Sequence, residues 1–315
     1  MEMRQLGSAG PVISVVGFGA WEAGGTQWGP NESEATVIAA MRAALDAGMT
    51  WIDTAETYGK GTSEQLVGKA IQGRRDELQV FTKVGPSPVG TGFRPDEVAD
   101  AARESLRRLG TDHVDLYQLH WPDETGVPVE ETWGAMASLV DEGLARHIGV
   151  SNFDRDLIER CEAVRHVDSL QNEFSLLRRG DLAELLPWLD DRGIGYLAYG
   201  PLGFGILSGG LRPDHRFADD DWRSGSGEQD EDWEELFSPG RLPAHLERVE
   251  RLRAVADRLG TTPAPLALRW AVDQVGVTAA IAGSRNAGHV RENAETGSLK
   301  LDDATRGEIS KLFDA

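Results

Sequence analysis

Two hydrophobic periods alternate along most of the chain. Short runs dense in apolar and β-branched residues occupy 14–19, 50–54, 79–84, 114–120, 147–151, 168–172, 195–200 and 277–283. Between or after them come longer stretches whose apolar positions recur every three or four residues, at 33–47, 63–71, 95–109, 130–141, 154–165, 181–191, 244–259, 263–274 and 288–296. Short apolar runs read as buried strands, and the longer period reads as helices with one apolar face. Strands alternating with helices build a parallel sheet, and eight such units are the number that closes a (β/α)8 TIM barrel. The expectation is therefore an α/β protein with one barrel domain over residues 1–315. Segments 3–6 and 12–16 predict an N-terminal β-hairpin ahead of the first barrel strand, and 302–313 predicts a C-terminal helix.

Segment 201–243 breaks the rhythm. It opens with Gly203, Gly205, Gly209 and Gly210 and continues into an acidic stretch at 219–235. Loops of this length in compact domains are functional or solvated, and both a lid and a solvated tail fit the composition.

A barrel puts its chemistry at the C-terminal ends of its strands, where the βα loops converge. On the predicted strands, Asp53 lies near the end of the second, Tyr58 in the loop that follows, Lys83 near the end of the third, and His120 at the end of the fourth. Alone, each has a plain structural role: a loop anchor, a packed ring, a solvated ammonium. Four proton-handling groups on successive strand ends of one rim point to catalysis instead.

Charge narrows the partners. A formal net charge of -20 leaves no basic stripe for nucleic acid or an anionic membrane. Lysine occurs only at 60, 69, 83, 300 and 311, which fits either a biased genome or a salt-rich cytoplasm. No apolar run reaches the length of a membrane span and no secretory stretch opens the sequence, so a cytoplasmic location is expected. The single cysteine, Cys161, reads as packing, and without an HExxH or CxxC pattern no metal site is expected. His113 and His147 fall toward the opposite ends of their strands and read as structural. The glycines at 203, 205 and 209 are spaced GxGxxxG and lie late in the chain, which does not match a Rossmann fingerprint.

Five ordered stretches resemble the aldo-keto reductase superfamily: Asp53-Thr54-Ala55-Glu56-Thr57-Tyr58-Gly59, Thr82-Lys83, Asp115-Leu116-Tyr117-Gln118-Leu119-His120-Trp121-Pro122, Gly149-Val150-Ser151-Asn152-Phe153 and Tyr199-Gly200-Pro201-Leu202-Gly203. The resemblance runs from Met3 to about Asn293, and the family's catalytic tetrad falls on Asp53, Tyr58, Lys83 and His120. The logic of such a tetrad can be stated independently. Carbonyl reduction needs a proton at oxygen as negative charge grows there, and Tyr58 can supply it. Lys83 is expected to lower the phenol's pKa, Asp53 to keep the lysine charged, and His120 to hydrogen-bond the substrate oxygen.

The resemblance also implies NADPH lying across the barrel mouth, with NADH the alternative. Ser151, Asn152 and Gln171 match the residues that hold the carboxamide, and Tyr199 matches the ring that stacks on nicotinamide. Leu202 and Gly203 sit where backbone approaches the diphosphate. Gly283, Ser284 and Arg285 fall near the 2′-phosphate, with His289, Glu292 and Asn293 toward the adenosine. The sequence departs from the family pattern at His289, where Arg or Gln is common, and at Ala282, where proline is frequent.

Trp21, Trp28 and Trp121 are expected to wall a substrate pocket suited to a small aldehyde, ketone or sugar-like carbonyl. Trp51, Trp133, Trp188 and Trp270 are expected in the core. Trp222 and Trp233 fit either closure over substrate or anchoring of the acidic segment. Two rival functions remain from the sequence: a cofactor-binding regulatory or subunit protein on the same fold, and a barrel lyase or isomerase using Lys83 as a Schiff base.

Overall fold

The computed structural model describes residues 1–25, 27–85, 93–225 and 231–314. Residues 226–230 of the acidic segment lie outside the described residues. Two short strands, β1 (Met3–Gln5) and β2 (Val12–Ser14), pair antiparallel in the expected hairpin. Eight parallel strands then close a barrel: β3 (Val16–Gly19), β4 (Trp51–Asp53), β5 (Gln79–Val84), β6 (Val114–Leu119), β7 (Ala145–Ser151), β8 (Ser169–Glu173), β9 (Gly195–Tyr199) and β10 (Val277–Ile281). Closure comes from β10, which pairs with β9 on one side and β3 on the other.

Helices surround it: α1 (Glu34–Asp46), α2 (Thr62–Ile71), α3 (Pro95–Leu109), α4 (Val129–Asp141), α5 (Arg155–Glu162), α6 (Leu185–Asp190), α7 (Glu231–Leu236), α8 (Leu242–Leu259), α9 (Pro263–Val272), α10 (Ala287–Ala294) and α11 (Asp303–Leu312). Their starts are written in the sequence. The Ser33, Asp154, Asn286 and Asp302 side chains each accept a backbone N–H of the first turn, and Pro95 and Pro263 open α3 and α9 where a missing N–H costs nothing.

Three local expectations need correction. The stretch 181–191 is not one helix. It is a 3-10 turn at Gly180–Leu182 followed by the short α6, because Pro187 admits a helix only in its first turn. Ser14 belongs to the hairpin, leaving the first barrel strand to begin at Val16. β7 begins at Ala145, two residues before His147.

Inside the barrel the side chains of successive strands meet in layers. The lower layer is apolar and holds Trp51, Phe81, Leu116 and Leu197, capped from below by Leu6 and Ile13 of the hairpin segment. Gly17 has no alternative here: a Cβ on it would run into the Trp51 ring. The Trp51 indole donates to Ser14 O at 2.8 Å, tying hairpin to barrel floor. The other expected core indoles are buried too, at 0% (Trp133), 8% (Trp188) and 0% (Trp270) exposure.

Candidate active site

Two residues further along the strands, the interior changes chemistry. Side chains alternate along a strand, so Asp53 stands above Trp51, Lys83 above Phe81, Gln118 above Leu116 and Tyr199 above Leu197. Asp53 ends β4, Lys83 is the penultimate residue of β5, and His120 immediately follows β6, with its N–H held by Val84 O at 2.9 Å. Tyr58 hangs from the turn between β4 and α2.

Lys83 is fully buried, and its ammonium has three partners for its three protons. It donates to Asp53 Oδ1, to Thr54 O at 3.0 Å and to Tyr58 Oη at 3.3 Å. The other carboxylate oxygen of Asp53 accepts from Gln118 Nε2 at 3.3 Å and Gln171 Nε2 at 3.0 Å. The His120 ring meets Tyr58 edge-on with centroids 5.5 Å apart, and its Nδ1 lies 3.3 Å from Thr57 Oγ1. The structure therefore brings all four predicted tetrad residues together.

Burial decides the protonation states. It pushes the Tyr58 phenol above its ordinary 10; Lys83 pulls the other way but does not prevail. This corrects the expectation of a lowered phenol pKa. Burial also works against the Lys83 ammonium, yet Asp53 and Tyr58 together raise it above its ordinary 10.5. For His120, burial and then the Lys83 charge hold the imidazole well below its ordinary 6.5. The site thus holds a protonated phenol, a charged ammonium and a neutral imidazole.

A cleft of about 850 Å³ opens over these groups. Trp21, Trp28 and Trp121 line it, with Trp121 39% exposed and the buried Trp28 packed edge-on against Trp21 at 4.8 Å. Ser151, Asn152, Gln171 and Tyr199 form its inner wall. Asn152 holds a left-handed backbone (φ 61°) that a non-glycine residue adopts only when its surroundings fix it. They do: its amide donates to His120 O at 2.9 Å and its carbonyl accepts from Tyr199 Oη at 2.8 Å.

The far arm of the cleft runs past Leu202 to Gly283, Ser284, Arg285, His289, Glu292 and Asn293. Gly203 is buried beside Leu202, and Gly205, with a φ of 108°, lines the cleft two residues on. Arg285 is no ordinary surface arginine, since it donates to Trp28 O at 2.6 Å and Pro30 O at 2.9 Å. An elongated groove with bare glycine backbone midway, cations at one end and the tetrad at the other fits a dinucleotide.

The profile of the Aldo/keto reductase family matches residues 15–314. The chain belongs to the aldo/keto reductase family. Among its relatives is the aldo-keto reductase YhdN of Bacillus subtilis (strain 168), 35% identical over all of this chain and 94% of that protein. The solved structure of the glycerol dehydrogenase AKR11B4 from Gluconobacter oxydans superposes with a TM-score of 0.85 at 29% identity, covering 98% of this chain and 94% of that one. An aldo-keto reductase from Klebsiella pneumoniae in complex with NADPH superposes at 0.75 with 29% identity, covering 99% and 95%. Against this aldo/keto reductase background, no group of three or more His, Cys, Asp or Glu among the described residues is placed to hold a metal ion. No helix among them is long and apolar enough to cross a membrane.

The two tryptophans of the acidic segment, for which the sequence left both roles open, divide them. Trp233 on α7 lines the cleft and donates from its indole to Glu173 Oε2 at 3.0 Å, whereas Trp222 is fully buried, stacked on Trp21, and anchors the segment. Gln118, which holds Asp53 from below the cleft and was not singled out, carried a usable signal: two positions after Leu116 on β6, period two places it in the barrel interior. Glu22 carried none, because its partner Arg285 comes from the far end of the chain.

Proposed function

We propose that this protein is an NADPH-dependent oxidoreductase interconverting a small aldehyde, ketone or sugar-like carbonyl and its alcohol, with Asp53, Tyr58, Lys83 and His120 as its catalytic residues. The observation that carries the reading is the contact of Lys83 Nζ with Tyr58 Oη at 3.3 Å, on a lysine also paired with Asp53, beneath a cleft shared with His120. When bound, the cofactor supplies the hydride.

The chain's own residues do the rest. A phenol raised by burial keeps its proton until negative charge builds on a carbonyl oxygen beside it, and Lys83 then stabilises the phenolate left behind. Asp53 holds that ammonium in place. The neutral His120, with Nδ1 toward Thr57, has Nε2 available to hydrogen-bond the substrate oxygen and orient it. In the reverse direction the same phenolate takes the alcohol proton. Ser151, Asn152 and Gln171 would meet the carboxamide, Tyr199 the nicotinamide face, Leu202 and Gly203, with Gly205 beside them, the diphosphate, and Arg285 with Ser284 the 2′-phosphate, which favours NADPH over NADH. Asn152 is well suited, since its hydrogen bonds fix both its amide and the Tyr199 ring.

Indoles on the substrate side suit compounds whose apolar faces stack on rings. A relative named glycerol dehydrogenase supports small polyols and their carbonyls as the class to try first. The reading extends to a cytoplasmic enzyme of one domain with no nucleic-acid partner. Mixing the protein with NADPH and a generic aldehyde such as 4-nitrobenzaldehyde, then a panel of sugars and ketones, should give steady cofactor consumption. No consumption with any of them, or substrate trapped on Lys83 by borohydride, would refute the reading.

A further inference from the structure

One carboxylate in the cleft wall has no part in the proton chemistry. Glu22 opens the 3-10 turn Glu22–Gly24 just after β3, lines the cleft, and places Oε2 at 3.8 Å from Arg285 Nε. Arg285 cannot turn away, because both of its terminal nitrogens are held by the carbonyls of Trp28 and Pro30. Its remaining edge faces Glu22, the one carboxylate among the described residues within ion-pair distance of it. Burial raises the Glu22 carboxyl above its ordinary 4.5, and against it act Arg285 and, from other elements, Arg223 of the turn Trp222–Ser224 and His289 of α10. Arg223 is already clasped by Asp221 through two contacts of 2.9 and 2.7 Å, so it needs no second anion.

Arg285 is thus a guanidinium fixed in a dinucleotide-shaped groove, with a single counter-ion supplied by the protein itself. Glu22 is 28% exposed and Arg285 18%. A phosphate drawn to this guanidinium approaches a carboxylate already there, and two anions on one cation repel. We infer that Glu22 competes with a phosphate of the dinucleotide for Arg285 and so sets cofactor affinity below what the arginine alone would give. The consequence is kinetic as well. A loosened phosphate grip speeds release of spent cofactor, a step that limits turnover in many enzymes.

This inference rests on the cofactor reading above, and direct binding separates the two. Titrating NADPH and NADH into the wild-type protein, Glu22→Gln and Glu22→Asp, with dinucleotide fluorescence as the readout and Tm as the check on folding, gives dissociation constants without turnover. Glu22→Gln should bind NADPH on the order of tenfold more tightly and release it correspondingly more slowly. Glu22→Asp, which keeps the charge, should stay near wild type. A gain confined to NADPH identifies the 2′-phosphate as the competing group, and an equal gain for NADH identifies the diphosphate; either supports the inference. Glu22→Gln binding no tighter than wild type, or more weakly because Glu22 instead steadies Arg285, overturns it. So does an equal gain in Glu22→Asp. Wild-type protein that binds neither dinucleotide overturns the cofactor reading and this inference together.

Discussion

The lower and upper layers of the barrel interior use the same strands for opposite purposes. Trp51, Phe81 and Leu116 are fully buried, and so are their neighbours two positions on, Lys83 and Gln118, with Asp53 at 2% exposure. What differs is how burial is made tolerable. The lower layer gains from apolar area removed from water and from close packing. The upper layer must first recover the cost of taking a carboxylate and an ammonium out of water, and a buried ion pair does little better than break even. The polar layer is therefore a poor device for stability, and its pairing serves to hold Tyr58 against a fixed charge.

That contrast can be broken by exchanging what each layer does. The largest effect is expected from Tyr58→Phe, which keeps the ring and removes the proton: turnover should fall by about 10² to 10⁴, with Tm and NADPH affinity nearly unchanged. Loss of cofactor binding in this variant would mean that the phenol shapes the cleft and does not serve as acid. In the lower layer, Trp51→Ala should cost about 3–5 kcal/mol in denaturant unfolding while the surviving folded protein keeps its kcat. Lys83→Met should cost a comparable amount, about 3–5 kcal/mol, because Asp53 is left buried and unpaired. There the layers diverge: adding Asp53→Asn should recover much of the Lys83→Met loss, whereas no polar replacement at a neighbour rescues Trp51→Ala. A double variant no more stable than Lys83→Met alone would erase the distinction.

The smallest expected effect lies beneath the barrel, where Glu2 is bonded by Arg269 at 2.8 Å, Lys300 at 2.5 Å and Arg4 at 2.7 Å. Partial burial opposes its charge, but these three cations draw its carboxyl down to about 2 from an ordinary 4.5. The unfolded chain takes up the proton first as pH falls. The contribution is thus whole above 4.5 and disappears as pH drops toward 2. Because Glu2 is partly exposed, screening leaves it on the order of 1–2 kcal/mol. Glu2→Gln should therefore lower stability at neutral pH by that amount and flatten its slope across this window.

The parts legible in the sequence are those whose signal is local. Each barrel strand carries a short apolar run, and Ser33, Asp154 and Asp302 mark helix starts by residue type and position alone. The tetrad is legible because strand ends of a barrel share a rim, so residues far apart in sequence can be placed together by topology. Where a reading fails, long-range physics has taken over. The Tyr58 pKa depends on the degree of enclosure, which no motif encodes. Trp222 and Trp233 share one acidic segment, yet one anchors it and the other reaches the cleft, and only the fold of that segment separates them. Glu22 has the local signature of an ordinary acidic residue beside a tryptophan, and its partner Arg285 comes from the far end of the chain.

The central claim is that a phenol kept protonated by burial, beside a neutral imidazole, donates the proton. The most direct test is the pH dependence of kcat/KM for NADPH-driven reduction, which reports the ionisations of the form that meets the carbonyl. The predicted profile has no midpoint between 6.5, the ordinary value of imidazole, and 10, that of phenol, because burial moves His120 below this window and Tyr58 above it. A midpoint inside that interval in the wild-type protein would contradict the account.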